Sequence, residues 1–158
     1  MVIAGVVIDK KDEKKLKVMG VKDSKELSPK RREELAPLIE KIAKSVIVLR
    51  VPACKIDSYR AKKINLDRIE AMKMAEIIDM CNADRIFIDS LEFNPEKFKK
   101  IILSNLSDKK FDLMVENYAD ETYPIVGAAS IVAKVERDKA IDEIKRKIQK
   151  SRRVRINN

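Results

Sequence analysis

The 158-residue chain has no histidine and no tryptophan, and only three glycines and two cysteines. Without histidine there is no imidazole to bind zinc or to act as a base, so zinc hydrolase and Ser-His-Asp chemistries are excluded. Any metal would have to be a hard cation held by carboxylate oxygens, which means Mg²⁺ or Mn²⁺. The glycines, Gly5, Gly20 and Gly127, are too dispersed for a phosphate-cradling loop, which removes P-loop and dinucleotide-binding classes. Cys54 and Cys81 have the spacing of neither a metal knuckle nor a redox pair, and their apolar neighbours make both expected as buried thiols. With four Phe and three Tyr the core must come from Ile, Val, Leu, Met and Ala, and a module binding single strands mainly by stacking is disfavoured. No apolar run approaches the roughly 18 residues of a membrane span. The opening Met1–Ile8 is too short for a signal peptide and has no basic start. A cytoplasmic protein without membrane contact, and a monomer, is expected.

What is present is one domain's worth of chain with an ordinary apolar fraction of 45% and a net charge of +9. That charge favours a polyanionic partner. Part of it is concentrated in Lys145, Arg146, Lys147, Lys150, Arg152, Arg153 and Arg155, with no acid among them. A solvated tail and a binding arm are both compatible with that stretch.

Strand and helix signals alternate. Val2–Ile8 is an apolar strand followed by a polar connection as far as Val18, with Asp9 as a hairpin-turn residue. Ser28 and Pro29 open a helix as N-cap and first-turn proline, with Leu35, Leu38, Ile39 and Ile42 on one face. Ser45–Val51 is a strand, residues 55–59 a short helical piece, and Asn65-Leu66 leads into a helix reaching Cys81 whose Met72 and Met74 are core filler. Asp84–Asp89 is a buried strand, Asn94 caps a helix to about Leu103, and Phe111–Val115 is another strand. From Pro124 a helix runs towards Gln149, with a possible break, its first half apolar and Ile141 and Ile144 on the buried side of the second. This order, without a Gly-Pro-rich linker, predicts an α/β domain.

Asp89 closes a buried strand, and α/β proteins bind ligands beyond the carboxyl ends of their strands. Asp120 lies between the last strand and the last helix. Two such acids can converge on a divalent ion, or each can be an ordinary turn or capping acid. Two alone fall short of a two-ion site, whose ions lie about 3.5–4 Å apart and need several bridging oxygens. Ser24 and Lys25, in a polar loop before a helix, could hold a backbone phosphate or simply form a turn. Lys134 stands one turn before Asp138, where a local ion pair is possible.

Three segments, in order, resemble motifs of the ribonuclease HII family, most nearly its archaeal branch: Gly20–Ser28, Ile86–Ser90 and the long Ala119–Asp138. The resemblance runs from Met1 to about Lys147. It implies an RNase H-like mixed sheet flanked by helices, incomplete relative to the family, and endonucleolytic hydrolysis of RNA in RNA–DNA hybrids or at ribonucleotides embedded in duplex DNA. It implies Mg²⁺ or Mn²⁺ held by four acids, two of which match Asp89 and Asp120 as catalytic and metal-binding residues. Ser24, Lys25, Asn65 and Lys134 match or adjoin the family's substrate-binding positions.

The departures matter as much. The family strand carrying Asp-Glu-Ala-Gly-Arg-Gly, with the other two acids and the cradle for the ribonucleotide junction, has no match here. A Gly-rich segment with a stacking Tyr is unmatched beyond Lys147. The family usually has Lys where Tyr118 stands and Ser where Gly127 stands. The expected organisation is therefore a partial catalytic domain over residues 1–147 and a basic tail over 148–158, with little or no cleavage by the chain as given. A non-catalytic nucleic-acid-binding domain, or a degenerate remnant, is the alternative. An unfilled place in the sheet is also expected.

Overall fold

A computed structural model describes the backbone of residues 1–21, 26–107 and 110–156, and the side chains among them as far as residue 150. The opening apolar run forms β1 (Val2–Val7), antiparallel to β2 (Ser45–Arg50), with Val2 opposite Arg50 and Val7 opposite Ser45. β3 (Arg85–Asp89) and β4 (Asp112–Glu116) pair in parallel, with Asp89 opposite Glu116. Among the described residues these are two separate two-stranded ladders.

The connection expected as a polar loop after β1 holds a 3₁₀ turn at Lys10–Asp12 and a short helix, α1 (Glu13–Val18). Its sequence is nearly all charge, so one apolar anchor, the fully buried Leu16, carries it. Gly20 ends it at φ 76°, with Val21 N–H bonded to Leu16 O and Gly20 N–H to Lys17 O. That left-handed stop is the Schellman arrangement, which suits glycine. Asp9 is no hairpin residue: it starts the 3₁₀ turn and pairs with Lys44 at 2.7 Å. The Lys44 hydrogen bond holds the Asp9 carboxyl below its usual range.

The caps expected at Ser28 and Asn94 form, and Asn65 caps a third helix. Ser28 accepts from Arg31 N–H at 3.2 Å to open α2 (Pro29–Ile42). Asn65 accepts from Arg68 N–H at 3.0 Å to open α4 (Leu66–Met80), which follows α3 (Ala53–Ala61). Asn94 accepts from Lys97 N–H at 3.1 Å to open α5 (Pro95–Leu103). Replacing Asn94 with alanine is expected to cost about 1 kcal/mol, measured as a lowered urea midpoint with unchanged slope. The chain ends with one-turn α6 (Ala119–Thr122) and long α7 (Pro124–Ile156).

Helices cover both faces of the strands. Ala4 and Val6 of β1 and Val46 and Val48 of β2 pack with Leu35 and Ile39 of α2 and Ala128, Ile131 and Val132 of α7. Gly5 points to the other face, where a Cβ would stand 2.5 Å from Ile77 Cγ2 of α4. Further along, α4 joins α5 over β3 and β4 in a second cluster around Phe98, with Ala71, Ala75, Ile88, Leu113 and Val115. Thus α4 bridges the two ladders on one face, and α7, which touches both β1 and β3, bridges them on the other.

Three expectations of placement fail. Leu38 is exposed, because the buried stripe of α2 runs through Arg32, Leu35, Ala36 and Ile39. Arg32 is accommodated there by donating to Leu27 O at 2.6 Å and by its pairing with Asp138. Ile141 and Ile144 are exposed, and α7 continues unbroken. A 33-residue helix is about 50 Å long, whereas six-residue strands span about 20 Å, so its second half has no sheet beneath it. Cys54 is exposed on α3, a helix that buries no residue, and Cys81 is half-buried, its thiol pushed up by burial. Met74 of α4 packs against the core as expected, and Met80, at the end of the helix, faces outward.

Candidate active site

Between the two ladders lies a cavity of about 850 Å³. One side is the whole of β1 and the opposite side the whole of β3. Glu70, Met74, Ile77 and Ile78 of α4 line it on one face, and Ile125, Val126, Ala129 and Ala133 of α7 on the other. Asp89 and Asp120 both reach it.

These two acids come from elements 30 residues apart in sequence, and one hydrogen bond relates them. Asp89 Oδ1 at the carboxyl end of β3 accepts from Ala119 N–H at 3.1 Å. Ala119 begins α6, and Asp120 is its next residue, buried to 3% exposure. The turn that delivers α6 passes through Tyr118 in the left-handed region (φ 59°), a conformation a bulky residue rarely holds. The parallel ladder is prolonged by Ser90 N–H bonding to Glu116 O at 2.8 Å, which keeps the ends of β3 and β4 side by side. Tyr123 braces the same end: its hydroxyl donates to Glu116 at 3.1 Å and its ring lies 4.5 Å from that of Phe87. That hydrogen bond, with burial, raises the Tyr123 phenol. A carboxylate fixed by a backbone donor at a strand end, with a second on the tethered turn, can present oxygens to one point.

Oxygen donors alone suit Mg²⁺ or Mn²⁺ by hardness. In number they fall short: among the described residues no three His, Cys, Asp or Glu side chains gather so as to hold an ion. The donor chemistry fits a hard cation and the donor count does not fit a complete two-ion site.

The other expected residues are dispersed. Ser24 and Lys25 lie outside the described residues. Asn65 is accounted for as the cap of α4 and is not on the cavity lining. Lys134 donates to Ser130 Oγ at 2.9 Å, and Ser130 lines the cavity. Asp138 is met by Arg137 at 2.8 Å and Arg32 at 3.6 Å. One residue that sequence reasoning missed is Glu70, whose carboxyl is raised by burial and then by neighbouring Asp67. Its signal was present as an acid at the head of the stripe Glu70, Met74, Ile77, at spacings of four and seven on an otherwise apolar helix face.

No helix among the described residues is long and apolar enough to cross a membrane. The family model described as "Ribonuclease HII" matches residues 1–154. The ribonuclease HII of Methanothermobacter thermautotrophicus is 41% identical over 150 residues, covering 95% of this chain and 71% of the relative. Among solved structures, that of the PCNA:RNase HII complex from Archaeoglobus fulgidus contains a chain 38% identical with a TM-score of 0.82, covering 93% of this chain and 68% of that one. Ribonuclease H2 from Pyrococcus horikoshii is 31% identical with a TM-score of 0.80, covering 94% and 77%. The two ladders and their helices therefore have the RNase H-like arrangement. This chain belongs to the ribonuclease HII family, whose members are hydrolases of the ribonuclease H type.

Proposed function

We propose that the Asp89–Asp120 end of the cavity is the catalytic centre for endonucleolytic hydrolysis of RNA in RNA–DNA hybrids, or of ribonucleotides embedded in duplex DNA. The observation that carries this is the Asp89 hydrogen bond to Ala119, which ties the acid ending β3 to the turn holding Asp120. Asp89 and Asp120 would hold Mg²⁺ or Mn²⁺, and such an ion, when bound, polarises a phosphodiester oxygen. Lys134, at the Ser130 side of the cavity, together with Ser24, Lys25 and Asn65, would bind the substrate backbone. The location would be cytoplasmic and the chain monomeric. A non-catalytic nucleic-acid-binding role is favoured by one observation, the shortage of metal-holding acids.

Two measurements test this. Fluorescence anisotropy with an RNA–DNA hybrid should show weak binding that falls steeply with salt, each phosphate contact contributing roughly 0.7–0.9 to the logarithmic slope. Salt-independent affinity, or none at low ionic strength, would remove the polyanion assignment. Titration with Mn²⁺ should reveal a weak saturable site lost in Asp120→Asn. Retention of that site in the variant would place the metal elsewhere.

A further inference from the structure

Of the four Phe and three Tyr, five are accounted for by packing. Phe98 and Phe111 belong to the cluster against β3 and β4, Phe87 and Tyr123 lie ring to ring, and Tyr59 sits 5.7 Å beneath Lys73 Nζ. Phe93 and Tyr118 are instead 98% and 66% exposed. Phe93 follows Asp89 by four residues, and Tyr118 precedes Asp120 by two. Asn117 Nδ2, beside Tyr118, donates to Phe93 O at 3.2 Å, so the two ring-bearing segments are tied together. On the other side of Tyr118, Ala119 N–H is the donor to Asp89. Both rings are therefore displayed at the carboxylate end of the cavity. Side-chain bonds hold the Phe93 loop in place: Ser90 Oγ donates to Glu92 O at 2.8 Å, and Lys97 pairs with Glu92 at 2.8 Å. Tyr118 keeps its left-handed backbone, a strain of the kind that gathers at ligand sites. A phenyl ring held in water forgoes the stabilisation of burial, so folding does not account for its place.

We propose that Phe93 and Tyr118 form a stacking site for unpaired nucleobases beside the Asp89–Asp120 centre, so that the chain prefers hybrids carrying a single-stranded extension to fully paired ones. This rests on the nuclease reading of that centre and adds a substrate preference to it. Every base has a π-face, so stacking on a phenyl or phenol ring tolerates any sequence. A base inside a duplex has both faces covered by its neighbours, whereas an unpaired base is free to stack on an aromatic side chain. The net charge of +9 attracts the phosphates of either substrate, so the two rings supply discrimination rather than bulk affinity. Two rings alone do not make the chain a module that binds mainly by stacking. Their continuity with the acid centre favours a nucleic acid over a protein partner.

The probes are a blunt RNA–DNA hybrid and the same hybrid with a short single-stranded extension containing 2-aminopurine, placed at each strand end in turn. EDTA is present, so cleavage does not intervene. The expected result is binding of one extended hybrid roughly tenfold tighter than the blunt one, with the 2-aminopurine fluorescence quenched on binding. Phe93→Ala and Tyr118→Asn should each erase most of that preference and leave the affinity for the blunt hybrid unchanged. Asparagine is chosen because it tolerates the left-handed backbone of position 118. Phe93→Tyr and Tyr118→Phe should keep the preference, and Phe93→Leu, apolar but without a π-face, should lose it. Equal affinity for the blunt hybrid and every extended one would overturn the proposal, as would a preference surviving in Phe93→Ala or Phe93→Leu. So would variants that weaken blunt and extended hybrids alike. The Phe93 variants decide the matter if Tyr118→Asn does not fold, since Phe93 is exposed. Equal binding of all the hybrids removes the stacking site alone, whereas no binding of any at low ionic strength removes the nucleic-acid reading with it.

Discussion

With Mg²⁺ or Mn²⁺ and a duplex containing one ribonucleotide, the 158-residue chain is expected to cleave at least about a thousandfold more slowly than the ribonuclease HII of Methanothermobacter thermautotrophicus. Phosphodiester hydrolysis by two ions about 3.5–4 Å apart needs several carboxylate oxygens to fix them. The described site supplies Asp89 and Asp120 and gathers no third metal-holding side chain. Preorganised electrostatic stabilisation is usually the largest catalytic contribution, and losing a single donor costs about 10²–10³ in rate, so a half-furnished site loses at least that much. Raising the metal concentration should not restore the rate, because occupancy does not supply missing geometry. Asp89→Asn serves as the control for contaminating nuclease. Multiple-turnover cleavage at the relative's rate, abolished by Asp89→Asn, would show that further ligands complete the site.

The second large effect is on stability. Phe98→Ala is expected to destabilise the fold by about 3–5 kcal/mol, the usual range for deleting a buried aromatic ring. Phe98 is fully buried where α5 meets α4 and the β3–β4 ladder. That cluster holds the ladder that places Asp89, so the loss falls on the half of the molecule carrying the proposed site. Total stability of domains is only about 5–15 kcal/mol, so this loss is a large share of it. The thermal midpoint should fall by roughly 6–20 °C. Phe93→Ala is the matched control: Phe93 is 98% exposed, and its removal should change stability by no more than about 0.5 kcal/mol. Equal effects of the two substitutions in calorimetry would show that the cluster is not the core.

Local features were legible in the sequence because they depend on a few neighbouring residues. Ser28 and Asn94 precede helices and cap them through their own side chains, a match of residue type to backbone within four positions. The Val- and Ile-rich runs became strands for the same reason. Where the sequence signal was weak, one tertiary contact decided the outcome. Residues 13–18 form a helix because Leu16 is buried, though nearly everything around it is charged. Ile141 and Ile144 carry the right period for a buried face and are exposed because the sheet ends before they begin. Periodicity reports that a face is apolar, and only the neighbouring elements determine whether anything covers it.

By itself the sequence determined the α/β class, the exclusion of imidazole chemistry, the helix starts, the family, and Asp89 and Asp120 as the acids of interest. Only the tertiary structure decided that these acids line one cavity, which depends on the parallel register of β3 with β4 and on the Asp89 hydrogen bond to Ala119. It likewise placed Glu70 on the cavity wall, assigned Asn65 to a helix cap, and set β1 and β3, from two ladders, on the same cavity. The division has a physical cause. Caps and strand runs are set by interactions a few residues long, whereas a site assembled from β1, β3, α4, α6 and α7 exists only once packing has brought distant segments together, and no local pattern encodes that distance.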